Sequence, residues 1–170
     1  MYVVCAVRCL WCINLIINVL KTFEELGVSA EIRQAIEEMG YEHPMPVQEE
    51  VIPYLLGVNN DVVALAQTGT GKTAAYGLPV LQKVDASRNE TQALILSPTR
   101  ELCLQIADDL ENYSKYLPGV RVLPVYGGAN IEPQIRTLRK GVQVIVATPG
   151  RLIDLMERKA ASLEHVENVV

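Results

Sequence analysis

The chain has 170 residues, 49% of them hydrophobic and 21% charged, the composition of one folded domain with a buried core and not of a disordered or repetitive chain. Its net charge of -5 excludes a global positive field, so any nucleic-acid binding has to come from a local patch. The four cysteines form no pairing pattern, which points to a reducing, cytoplasmic compartment.

Residues 1–21 differ from everything after them. Val3 to Leu20 is a nearly continuous apolar run broken by Arg8, Asn14 and Asn18. Three readings stay open: a membrane or surface anchor, a signal peptide, or an apolar appendage outside the domain. Arg8 would cost roughly 2.5 to 3.5 kcal/mol at mid-bilayer. No charge precedes the run and no Ala-x-Ala-like site follows it, so the appendage is preferred. Cys5, Cys9 and Cys12 stand at C-x3-C-x2-C, which resembles the cluster-binding triplet of radical S-adenosylmethionine enzymes. They lie inside the apolar run with no barrel-sized chain behind them, so buried or incidental thiols are the preferred reading.

From Thr22 onward helical and strand patterns alternate. Ser29 is placed to cap a helix with apolar Ile32, Ile36 and Met39, closed by Gly40. Pro46 opens the next, ending near Gly57. Four short apolar runs predict buried parallel strands at Val62–Ala66, Ala93–Leu96, Val122–Val125 and Val142–Ala147. Helices are expected over Ala74–Val84, Arg100–Leu117 and Ile131–Arg139, and from a Thr148 cap with Pro149 first, through Leu152, Leu155 and Met156. Alternation of this kind is an α/β, doubly wound parallel sheet, whose ligands sit at the carboxyl ends of the strands. Cys103 falls on an apolar helix face and reads as core.

Between the first expected strand and its helix stand Ala66, Gln67, Thr68, Gly69, Thr70, Gly71, Lys72 and Thr73. Glycines let backbone amides turn inward around phosphate oxygens, and the following helix directs its free N–H groups at them. Lys72 supplies an ammonium for the outer phosphates and Thr73 a hydroxyl for magnesium. Ala66 stands where the common pattern has glycine. The loops after the other strands are Pro98-Thr99-Arg100, Gly127-Gly128 and Thr148-Pro149-Gly150-Arg151. Two of them combine a capping threonine, a helix start and an arginine; the glycine pair admits a close backbone approach. Such groups bind phosphate and sugar without a base code, so a single strand of any sequence is the expected ligand. The acidic pairs and the two histidines, His43 and His165, read as solvated surface.

With Gly40-Tyr41-Glu42-His43-Pro44-Met45-Pro46-Val47-Gln48 and Phe23 upstream, residues Phe23 to Val170 resemble the first RecA-like domain of a DEAD-box ATP-dependent RNA helicase. The resemblance implies that residues 22–170 are a partial helicase ATP-binding domain, with ATP and Mg2+ as cofactors and single-stranded or duplex RNA as partner. It also implies that Gln48 pairs with the adenine edge, Tyr41 packs on the ring and Phe23 supports them. A glutamine amide can donate and accept to adenine N6 and N7 together, which agrees. Met45 replaces the family's threonine. The Asp-Glu-Ala-Asp and Ser-Ala-Thr motifs and the second RecA-like domain with its arginine finger have no counterpart between Phe23 and Val170. A marginally stable chain with little or no turnover, and an exposed sheet edge beside the glycine-loop strand, are therefore expected. The alternatives are a non-catalytic RNA- or partner-binding module and a different P-loop enzyme. A kinase would leave Tyr41, Gln48 and the Thr148–Arg151 loop unexplained.

Overall fold

The computed structural model describes residues 21–57, 61–67 and 69–170. The apolar run and its cysteine triplet lie outside the described residues, as does Thr68. Among the described residues no helix is long and apolar enough to cross a membrane. In chain order the elements are α1 (Ala30–Glu38), α2 (Pro46–Leu56), α3 (Lys72–Lys83), β1 (Ala93–Leu96), α4 (Arg100–Tyr113), β2 (Val122–Val125), α5 (Ile131–Arg139), β3 (Val144–Ala147), α6 (Pro149–Glu157) and β4 (Asn168–Val169). The strands form one parallel sheet in the order β2-β3-β1-β4.

Side chains alternate across this sheet, as a period of two requires when both faces are covered. Ala93, Ile95, Val144 and Val146 face one core with Ile36 of α1, Ile52 of α2, Leu78 of α3 and Leu110 of α4. Leu94, Ile145 and Ala147 face a second core with Ile135 of α5 and Leu152 and Leu155 of α6. Helices on both faces of a parallel sheet make this a doubly wound α/β fold, as the strand and helix patterns predict. On β2, the amides of Val144 and Thr148 bond the carbonyls of Arg121 and Val125. Odd-numbered residues thus turn their backbone toward β3, and Pro124, which has no N–H, faces the open edge.

Several expectations are corrected. Val62–Ala66 is not a strand: it belongs to no sheet, with Val63 91% and Leu65 95% exposed. An extended segment becomes a strand only when a neighbour takes its N–H and C=O groups, and among the described residues no strand pairs with it. β3 begins at Val144, two residues later than expected; Gln143 ahead of it keeps its backbone bonded to Arg121 and Ala93, while its fully buried side-chain amide accepts from Arg121 N and donates to Arg88 O. α4 ends at Tyr113, with Ser114 to Leu117 continuing as turns. Neither Ser29 nor Thr148 caps its helix with its side chain; Thr148 Oγ1 donates to Val125 O at 3.4 Å instead.

Candidate nucleotide and nucleic-acid site

α3 starts from Gly71, whose φ of +75° lies in the left-handed region, and Gly69 two residues earlier has φ +78°. At Gly71 glycine is required a second time: a Cβ there would stand 2.3 Å from Gln48 Nε2. Gln48 is 1% exposed; its Nε2 donates to Gly71 O at 3.0 Å and its Oε1 accepts from Met45 N at 2.9 Å. The side chain thereby joins the stretch ahead of α2 to the glycine loop. One amide hydrogen and one oxygen lone pair stay available for a further partner.

Lys72 Nζ donates to the carbonyls of Ala66 and Gln67, both at 2.6 Å, and Thr70 Oγ1 donates to Gln67 O at 2.8 Å. The loop is closed on its own ammonium, and phosphate oxygens would take the place of these carbonyls as acceptors. Nothing stands within 4 Å of the position a Cβ would take at Gly69, so the cradle has room on that side. Thr73 follows in the first turn, near Tyr76, whose phenol is pushed up from its ordinary pKa chiefly by burial. Among the described residues no group of three or more acidic, histidine or cysteine side chains could hold a metal. The donors present suit magnesium carried in by phosphates with Thr73 as one ligand. Beside the loop a cavity of about 900 Å³ is bounded by Val51, Lys72, Val80, Ile106 and Val169, with Val62 and Ala64 on its wall.

Tyr41 is half-buried between Phe23 (centroids 6.4 Å apart) and Tyr113 (6.1 Å, edge-on), with its hydroxyl 3.1 Å from that of Tyr113. The three remaining loops leave the sheet side by side, because Leu96, Ala147 and Val125 are paired level across β1, β3 and β2. Thr99 caps α4 by accepting from Leu102 N at 3.2 Å. The exposed Arg100 lies 4.8 Å over the Tyr126 ring, and a Cβ on Gly128 would stand 3.5 Å from its Nη1. Arg151, with a side chain only 12% exposed, donates from Nη2 to Ala129 O at 3.1 Å and keeps Nη1 buried without a protein partner. Pro98, Thr99, Arg100, Gly127, Gly128, Thr148, Pro149, Gly150 and Arg151 are therefore brought to one edge. At Gly127 and Gly150 no atom lies within 4 Å of where a Cβ would stand, which leaves their backbone open.

Residues 45–170 match the DEAD/DEAH box helicase family. The chain belongs to that family. It is 50% identical over 151 residues to the DEAD-box ATP-dependent RNA helicase CshA of Geobacillus kaustophilus, a match covering 89% of this chain and 32% of that protein. With the ATP-dependent RNA helicase DeaD of Escherichia coli it shares 46% identity over 149 residues, 88% of this chain and 24% of that protein. The chain thus spans between about a quarter and a third of the length of these relatives. Among solved structures, a DEAD box protein from Methanococcus jannaschii superposes with a TM-score of 0.81 at 38% identity, over 87% of this chain and 40% of that one. Dbp5 of Saccharomyces cerevisiae bound to RNA and ADP BeF3 superposes with a TM-score of 0.78 at 32% identity, over 88% of this chain and 37% of that one. The fold of this DEAD-box chain is accordingly RecA-like.

Two participants escaped the sequence reading. Tyr126, directly ahead of the glycine pair, carried a legible signal, an aromatic ring beside a loop that also needs an arginine. Tyr113 carried none, since it meets Tyr41 across 72 positions of sequence.

Proposed function

We propose that residues 22–170 are the ATP-binding half of an ATP-dependent RNA helicase that couples ATP hydrolysis to RNA clamping and local strand separation. The observation that carries this is the Gln48 bond to Gly71 O, which ties the adenine-reading stretch to the phosphate cradle. Lys72 exchanges the carbonyls of Ala66 and Gln67 for the outer phosphate oxygens, while Ala66 to Thr73 present amides to the rest and Thr73 is a ligand for Mg2+. Phe23 and Tyr41 back the base, and Gln48 reads its edge. Across the sheet edge, Thr99, Arg100 and the Thr148–Gly150 turn bind the phosphates of single-stranded or duplex RNA without sequence preference. Arg151 braces the Gly127–Ala129 loop through Ala129 O and offers its free Nη1. The buried thiol of Cys103 suits a reducing, cytoplasmic setting.

Clamping needs a second RecA-like surface, and no carboxylate cluster stands by Thr73 among the described residues, so this chain alone binds ATP and RNA with little turnover. The test is equilibrium binding of a fluorescent ATP analogue and of mixed-sequence single-stranded RNA. Lys72→Ala is expected to remove nucleotide binding and spare RNA binding. Nucleotide binding unaffected by that substitution refutes the reading; RNA binding with no nucleotide binding at all leaves the non-catalytic binding module in its place.

A further inference from the structure

Tyr113 lies where three elements meet. It closes α4, a 14-residue helix, so it sits about 20 Å from Thr99 and Arg100 at the other end. It is 1% exposed, and its hydroxyl is 3.1 Å from that of Tyr41, with the two rings edge to face at 83°. α3, the helix that begins with Lys72, approaches it through Gly77. A Cβ there would stand 2.8 Å from Leu110 Cδ2 and 3.7 Å from the Tyr113 ring, so glycine lets the two helices approach without displacing Leu110. Burial pushes the Tyr113 phenol far above its ordinary pKa, so it stays neutral at any working pH and can donate to or accept from Tyr41. A buried phenol needs a partner, and Tyr41 is the one the fold gives it. Because Tyr41 is only half-buried, the rotamer of its ring is set by Phe23 on one side and this hydrogen bond on the other.

We propose that Tyr113 is a positioning residue for base selection: its hydroxyl fixes Tyr41, and through it the seat of a bound adenine. This rests on the reading of Tyr41 and Gln48 as the adenine-contacting pair. Tyr113 itself touches no nucleotide, so its loss is felt by the base and not by the phosphates.

The experiment compares ATP with inorganic tripolyphosphate, each displacing a fluorescent ATP analogue from the 170-residue chain, for the parent, Tyr113→Phe, Tyr41→Phe and the double variant. Loss of one buried hydrogen bond predicts ATP affinity about fivefold weaker in Tyr113→Phe with tripolyphosphate unchanged. Adding Tyr41→Phe to that background is expected to weaken ATP no further, since both changes remove the same bond. Unchanged ATP affinity in Tyr113→Phe, or an equal loss for tripolyphosphate, overturns the proposal. If Tyr113→Phe does not fold, as judged by circular dichroism, Tyr41→Phe removes the bond from its other side and is held to the same two outcomes. A parent chain that binds ATP no better than tripolyphosphate overturns the adenine-site reading as well, whereas a parent that prefers ATP and a Tyr113→Phe variant with the same preference overturn this inference alone.

Discussion

The two halves of the candidate site are built in opposite ways. The loops at the carboxyl edge of the sheet spring from three strands paired level with one another, and they are cross-tied by Arg100 over Tyr126 and by Arg151 to Ala129. The glycine-rich loop follows a segment that pairs with no strand among the described residues, so its order comes from a few contacts of its own: two left-handed glycines, a lysine folded on its own carbonyls, and a glutamine from α2. A surface preorganised by long-range pairing resists local change. A loop organised by its own few contacts depends on each of them.

The largest effect belongs to the sheet. Ile145, fully buried between α5 and α6, is expected to cost about 2–5 kcal/mol on truncation to alanine, read as a shift of the urea midpoint. In the cradle, Gly71→Ala meets both a left-handed φ and the Gln48 amide. A cost of about 1–3 kcal/mol of loop strain should weaken ATP binding tenfold or more while RNA affinity holds. Unchanged ATP affinity there would mean that the cradle is not organised by its glycines. Arg151→Ala removes a charged donor from Ala129 O in the loop after β2 and is expected to weaken RNA about tenfold, with ATP untouched. Arg151→Lys should not restore it, because one ammonium cannot replace a planar fork. Smallest of the substitutions is Leu65→Ser, at most about 0.5 kcal/mol, since that side chain already stands in water. A loss comparable to that of Ile145→Ala would show that the segment packs into the sheet in solution.

Outside both regions, the Glu38 carboxyl lies below its ordinary pKa, chiefly through the hydrogen bond from Lys115 and then that from Tyr116. A carboxyl lowered by folding stabilises the native state above its unfolded pKa, and that contribution disappears as pH falls through the folded value. Melting of the parent and Glu38→Gln should therefore differ slightly at neutral pH and converge in acid. Divergence that grows in acid would contradict the pairing.

How much of this was legible follows from the range of each contact. Ala93–Leu96, Val122–Val125 and Ile131–Arg139 were readable to the residue, because periodicity and local punctuation decide them. The glycine loop was readable because its chemistry is contiguous. Val62–Ala66 misled: five apolar residues announce a strand, but its formation is settled by a neighbour the segment cannot name. The buried amide of Gln143 was hidden for the same reason, since its partners stand at Arg88 and Arg121. The level alignment of Leu96, Val125 and Ala147 was foreseen only as a general rule of α/β sheets. The bracing by Tyr126, Ala129 and Tyr113 depends on side chains far apart in sequence.

Pro124 has a last consequence. With its missing donor turned to the open side of a four-residue strand, the β2 border offers an incoming chain no regular ladder. The opposite border, Asn168 and Val169, holds no proline and exposes a valine. The two borders are thereby unequal: the β4 side is the better template for a further strand, and it borders the cavity that Lys72 also lines.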